Sequence, residues 1–187
     1  MRYPLPLLLL PLAVSAPALA LENVPVPEFQ SVEIHGGGEI LLRKGPVQRV
    51  TLAEGSSQFT NIRVLSHGRL RIDACNSSCP ELYHLRIVID SPSVPTLAVE
   101  GGGKIATDGG FGSQQQLVVA VDGGGRIDAS NVPAQVATAA VHGGGEIRVR
   151  SVRTLTAAVN GGGLVRYWGD PAVTTVIQGG GAVQRGH

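Results

Sequence analysis

Glu100, Asp122 and His142 are the residues of this chain whose types and spacing could do chemistry. Each stands directly before a run of three glycines, and such runs begin at Gly36, Gly101, Gly123, Gly143, Gly161 and Gly179. If these repeats stack as strands, about 5 Å apart, the two carboxylates and the imidazole fall on successive rungs of one column, which Asn160 and Gln178 continue. Two acids and a histidine can hold a divalent cation, and two acids flanking a glycosidic bond can cleave it. The competing reading is a solvated polar ladder, outward because its neighbours point inward. Spacing alone shifts no pKa, since an active acid needs burial or a close like charge. The sequence therefore assigns no catalytic, cofactor-binding or metal-ligating residue. It nominates Glu100, Asp122 and His142 as a ligand column.

The elements that would position this column are written in the repeat. After one gap of 65 residues the triplets recur at intervals of 22, 20, 18 and 18, the signature of a stacked array. Two residues before each triplet stand Ile34, Val99, Val121, Val141, Val159 and Ile177. Two after its last glycine stand Ile40, Ile105, Ile127, Ile147, Val165 and Val183. Both columns are β-branched and flanked by polar residues, the alternation of strands with one face buried. Each repeat reads as strand, glycine bend, strand. Of the chain's 26 glycines, 18 lie in these triplets, so their role is architectural: they permit positive φ and close backbone approach.

The predicted fold is all-β, a single-domain parallel β-helix with Gly-Gly-Gly corners. A left-handed hexapeptide helix is the rival geometry and needs an aliphatic residue every sixth position. Arg153 and Pro171 break that beat, which favours right-handed coils with unequal sides. On the far side of the bend Lys104 and Arg126 are neighbours and Glu146 follows, so Arg126 could pair with Glu146 or with Asp122. Stacked glycines between the two polar columns would leave a strip of bare backbone where an extended glycan or peptide could lie. Otherwise glycine serves the corner alone.

Residues 1–20 have the charged start, short apolar run and Ala18-Leu19-Ala20 close of a secretory signal peptide, with cleavage after Ala20. The run is too short for a membrane span. Removing Arg2 from the 15 basic residues leaves 14, against 14 acidic ones, and a neutral chain offers nucleic acid no electrostatic footprint. The expected mature domain is 21–187, in the periplasm, at the cell surface or outside the cell. Within it, 94–187 forms regular glycine-cornered coils and 39–93 irregular coils or hairpins. Strands are predicted at Val47 to Leu52, Phe59 to Leu65, Leu70 to Asp73 and Leu82 to Asp90, in a half that caps the array. The final coil is poorly covered and could stack end to end on another chain. Cys75 and Cys79, the only cysteines, read first as a disulfide in an exported chain, with a thiol pair or half a metal site as alternatives. Asn76-Ser77-Ser78 fits a glycosylation acceptor. His35, His67 and His84 show no metal-ligand spacing and read as surface residues.

Phe29-Gln30-Ser31-Val32-Glu33-Ile34 leading into the first triplet, Gly68-Arg69-Leu70-Arg71-Ile72, and Leu164-Val165-Arg166-Tyr167-Trp168-Gly169-Asp170-Pro171 before the last triplet resemble the bacterial GIN domain. That family, of unknown function, is labelled an auto-transporter adhesin head domain. The resemblance spans essentially the whole mature chain, with the closing phrase its most specific part. It implies an exported β-helical protein of the bacterial envelope and brings no catalytic residues. Family members commonly carry Gly-Ser-Gly at the bend, and many are lipoproteins, whereas this chain lacks the lipid-accepting cysteine.

Together these features lead to a non-enzymatic interaction or adhesin-like module for a surface protein or glycan. The alternatives are a polysaccharide-binding or polysaccharide-active protein using Glu100, Asp122 and His142, and a structural subunit that stacks through its C-terminal coil.

Overall fold

The computed structural model describes residues 21–186, so the expected signal peptide lies outside the described residues. The described residues are all-β: 15 strands in one sheet, with a single short 3-10 turn at Ser66–Gly68. The first seven strands are β1 (Glu22–Val24), β2 (Ser31–Gly36), β3 (Glu39–Lys44), β4 (Arg49–Glu54), β5 (Asn61–Leu65), β6 (Arg69–Asp73) and β7 (Arg86–Ser91). The glycine-rich repeats supply β8 (Thr96–Gly101), β9 (Lys104–Thr107), β10 (Gln114–Gly123) and β11 (Arg126–Gly143). They continue with β12 (Glu146–Gly161), β13 (Leu164–Trp168), β14 (Ala172–Gln178) and β15 (Ala182–Arg185).

The repeats pair in parallel and in register. Ile34, Val99, Val121, Val141, Val159 and Ile177 are consecutive partners across β2, β8, β10, β11, β12 and β14. Ile40, Ile105, Ile127, Ile147, Val165 and Val183 are partners across β3, β9, β11, β12, β13 and β15. The long strands β11 and β12 take part in both sets, so one sheet wraps back on itself and nearly closes around an aliphatic interior. Both columns are buried except at the last rung, where Ile177 is 45% exposed and Val183 is only partly buried. Branched side chains stack well on a pleated surface and lose little rotamer freedom there, which is why two such columns suffice for a core with few aromatics.

The glycine corner has a different demand at each of its three positions. Gly143 takes φ +101°, where an L side chain is strained. At Gly145 a Cβ would lie 2.4 Å from Val121 Cγ1 and 2.7 Å from the Gly125 carbonyl oxygen, both belonging to the preceding rung. The middle glycines, Gly37, Gly102, Gly124, Gly144, Gly162 and Gly180, have ordinary φ and nothing within 4 Å of a Cβ. Only the first and third positions need glycine for the bend.

Opposite the glycine corner, the long strands β11 and β12 turn without glycine, whereas the β9–β10 and β13–β14 connections contain Gly109, Gly110 and Gly112, and Gly169. Between β11 and β12 the register slips from Ala129 to Pro133 and again from Ala134 to Val136. Asn131 donates through Nδ2 to the Thr107 carbonyl, 2.7 Å, so a side-chain amide ties this turn to the preceding rung. Proline, which lacks an N–H, fits a bend where the ladder is already interrupted.

At the N-terminal end the pairing changes sense. β5 lies antiparallel on β6, while β4 lies antiparallel on β7 and β1 antiparallel on β4. Residues 82–85, expected within a strand, lie outside one, and of their backbone groups the Leu85 carbonyl accepts the Glu39 N–H, 2.8 Å. There the Tyr83 hydroxyl is 2.6 Å from Thr60 Oγ1 and accepts a hydrogen bond from the Ser56 N–H, 2.8 Å, and its ring stands edge-on to Phe59. A tyrosine anchored at both ends replaces the ladder locally. The disulfide joins Cys75 and Cys79, with a Cα separation of 5.8 Å, in the loop between β6 and β7.

The corner geometry separates two substitutions one residue apart. Gly145→Ala should cost about 2 kcal/mol by overpacking against Val121, whereas Gly144→Ser should stay within about 0.5 kcal/mol of the parent. Equilibrium denaturant unfolding of both variants checks this, and equal losses would contradict the geometry.

Candidate functional site

The polar column begins one strand earlier than its glycine triplets suggest. Register places Asp73 of β6 beside His35 of β2, then Glu100 of β8, Asp122 of β10, His142 of β11, Asn160 of β12 and Gln178 of β14. Glu100, Asp122 and His142 thus stand on successive rungs, all exposed. Asp122 and His142 have no hydrogen-bond or ion-pair partner among the described residues, whereas Glu100 Oε2 lies 2.8 Å from His35 Nδ1. The column is therefore engaged at its N-terminal end and free along the repeats.

At the engaged end, Glu33 and His35 share the outward face of β2 because Ile34 between them points into the core. Glu33 is only 8% exposed. His35 Nε2 meets Glu33 Oε1, and Arg69 Nε lies 3.5 Å from Glu33 Oε2. Asp73 accepts a 2.8 Å hydrogen bond from Arg71 Nε and lies 3.0 Å from Arg63 Nη2. An open depression beside this group is lined by His35, Gly36, Gly37, Arg71, Asp73 and Cys75. Burial works against the Asp73 carboxylate. The hydrogen bond from Arg71 and the charges of Arg71, Arg63 and His35 outweigh it and hold its pKa below the ordinary carboxylate value.

On the other side of the glycines runs a second column, Glu39, Lys104, Arg126 and Glu146. Its charges pair along the sheet: Lys104 Nζ with Glu39 Oε1 at 3.2 Å and Arg126 Nη2 with Glu146 Oε2 at 2.7 Å. Arg126 thus takes Glu146, the neighbour on its own column, over Asp122. Arg148 adds a contact of 2.7 Å to Glu146 and one of 3.5 Å to Asp128. Such exposed pairs are worth at most about 1 kcal/mol each. Their effect is to neutralise this column while Glu100 and Asp122 leave the other acidic.

The Glu33–His35 pair escapes a reading centred on glycine triplets, because Glu33 lies outside the repeated phrase. The available signal is Glu33-Ile34-His35, an acid and an imidazole two apart around a core isoleucine, one repeat away from Glu100. Burial of Glu33 under Arg69 follows from the pairing of β2 with β6, which no local pattern announces. His35, expected at the surface, has a side chain only 18% exposed for the same reason.

Residues 109–171 match the model of the family described as "Putative auto-transporter adhesin, head GIN domain". The match covers the middle repeats and ends on the closing Tyr167-Trp168-Gly169-Asp170-Pro171 phrase, a narrower span than the whole mature chain that the sequence reading expects. No curated protein matches the chain closely enough to count as a relative. Among solved structures, a putative adhesin of Bacteroides fragilis superposes with TM-score 0.54 at 18% identity, over 91% of this chain and 98% of that one. A putative adhesin of Parabacteroides merdae gives TM-score 0.39 at 13% identity, over 90% and 96%. The first likeness is one of fold.

Asp73 carries a pH prediction. A depressed carboxylate contributes stability that is complete above its ordinary pKa and disappears as pH falls through the folded-state value. Asp73→Asn should lower Tm at pH 7 by roughly 2–4 °C, for a partly screened interaction of about 1 kcal/mol. The gap should close below about pH 4. Thermal melts of both proteins between pH 3 and 7 test this; a gap independent of pH would remove the ion-pair explanation.

Proposed function

We propose that this chain is a non-enzymatic, adhesin-like interaction module exported to the bacterial envelope. In this reading the mature protein, 21–187, is a single right-handed parallel β-helix, capped by its irregular N-terminal half, that presents one repeated surface. What supports the adhesin-like part is the GIN-domain match, and what supports the β-helix is the parallel, in-register pairing of successive repeats.

The observation that carries the function is the middle glycine of each corner. The bend does not require it, yet it is glycine six times, so the ridge between the polar columns stays bare. A bare ridge about 5 Å per rung, with an acidic column on one side and a paired, neutral one on the other, suits an extended glycan or peptide. Each rung contributes a weak contact and the rigid spacing adds them through effective concentration. Glu100, Asp122 and His142 act as contact residues, no single one being essential. A hydrolase would instead lose most of its turnover at one of them.

The test is a glycan and peptide array probed with the purified mature protein, in calcium and in chelator, beside Gly124→Lys/Gly144→Lys. Because both positions are open, this variant should keep the parent Tm and lose most of the array signal. Binding unchanged in the double variant would move the contact surface elsewhere.

A second reading, end-to-end assembly, is favoured by the last rung. Among the described residues β14 pairs only with β12, and β15 only with β13. Val173, Val176 and Ile177 are 38%, 56% and 45% exposed, and an unpaired apolar edge invites a second chain. Light scattering across concentration should then show association that Ile177→Lys abolishes. A monomer at high concentration would eliminate it.

A further inference from the structure

Building on end-to-end assembly, on which this rests, we infer that two copies of the chain join tail to tail. β14 of one copy pairs antiparallel with β14 of the other about a two-fold axis at Thr175, and assembly stops at two.

The outer edges of the sheet are finished differently. At the N-terminal end the edge strands are β1 and β5. β1 has three residues, with Pro25 and Pro27 just after it. β5 carries Arg63, whose Nη2 lies 3.0 Å from Asp73 Oδ2. Shortness, proline and charge are the means by which proteins keep an edge from pairing. β14 has none of them: its seven residues, Ala172 to Gln178, include no charge and no proline, and all are exposed. β15, the other strand of this rung, is also paired on one side only among the described residues. A lone peptide strand would cover one of the two, whereas the last rung of a second copy brings both. A head-to-tail contact would propagate as a filament, but the N-terminal end has no long, flat edge to receive β14.

The register follows from which way the side chains point. Val173, Thr175 and Ile177 continue the columns of Leu155, Ala157 and Val159, all buried, so they face inward. Residues directly opposite one another in an antiparallel pair share a face. A two-fold axis at Thr175 therefore sets Val173 against Ile177 of the second copy and Thr175 against itself, and the aliphatic interior runs on through the contact. This register also pairs all seven residues of β14. Moving the axis one residue, to Thr174, would oppose Ile177 to Pro171, which has no N–H to give. Charge permits the contact as well. From residue 170 to 186 the charged side chains are Asp170 and Arg185, an opposite pair 3.5 Å apart, so no net like charge faces itself across the axis. Closure covers Val173 and Ile177, 38% and 45% exposed in the single chain, and each particle then carries two glycine ridges.

The experiment is light scattering of the mature protein across concentration, joined to cysteine cross-linking under mild oxidation. Links are mapped by mass spectrometry, and circular dichroism melts check that each variant is folded. The mass should rise to that of two chains and no further. Thr175→Cys should link to itself in most of the protein. Val173→Cys and Ile177→Cys each lie about 13 Å along the strand from their own copy, so they should link only when mixed. Gly144→Cys, on the open ridge, should not link. A monomer at every concentration removes end-to-end assembly itself. Three outcomes leave self-association standing and overturn the tail-to-tail pair: growth beyond two chains, a link between Thr175→Cys and Asn61→Cys of β5 in a mixture, or a dimer in which Thr175→Cys does not link.

Discussion

The structure depends on how closely one glycine corner can sit on the next. At the third position of the corner, an added Cβ would come within 2.4 Å of a valine methyl of the rung below at Gly125, Gly145, Gly163 and Gly181. That valine, Val99, Val121, Val141 or Val159, is itself the last inward residue before its own corner. Backbone and core therefore interlock: the glycine leaves space that the valine fills, and the valine fixes the height at which the next corner rests. Interiors packed at this density tolerate no extra methylene without displacement. The strict parallel register, both aliphatic columns and the alignment of the polar columns all follow from this contact.

Much of this architecture is legible in the sequence because it is periodic. Paired β-branched columns around each triplet fix the inward face, and alternation then fixes which residues look outward. The neighbours Glu100, Asp122 and His142 can be read by counting, since equal spacing from a glycine bend means equal height in the sheet. The opposite turn is less legible. Asn131, Val132 and Pro133 share no phrase with their counterparts in other repeats, because a turn stabilised by an individual amide hydrogen bond has no shared backbone requirement to print in the sequence. Residues 82–85 were hidden for a similar reason, since the anchoring of Tyr83 by Thr60 and Ser56 bridges residues far apart in the chain.

The cluster of Glu33, His35, Asp73 and three arginines shows the same limit at the level of the site. Each member lies on a predictable outward face, yet what makes the group distinctive is burial, and burial comes from long side chains folded over one another across β2, β6 and β8. Arginine stems cover a surface while their charged ends pair with carboxylates. The result is an N-terminal end where charge is compensated locally and a repeat region where Asp122 and His142 stand open to solvent. One column thus contains two chemical environments, separated only by the length of the neighbouring side chains.

The antiparallel strands at one end and the bare parallel edge at the other also give the molecule a direction. From β10 onward, each rung pairs with a segment 17 to 22 residues earlier in the chain. Its template is complete before its own residues are needed. A chain threaded or synthesised from the N-terminus could lay down the antiparallel cap first and then add rungs singly, each short loop closing at modest entropic cost. The fold is layered like a course of bricks, and its bare parallel edge is the one layer on which no further rung rests among the described residues.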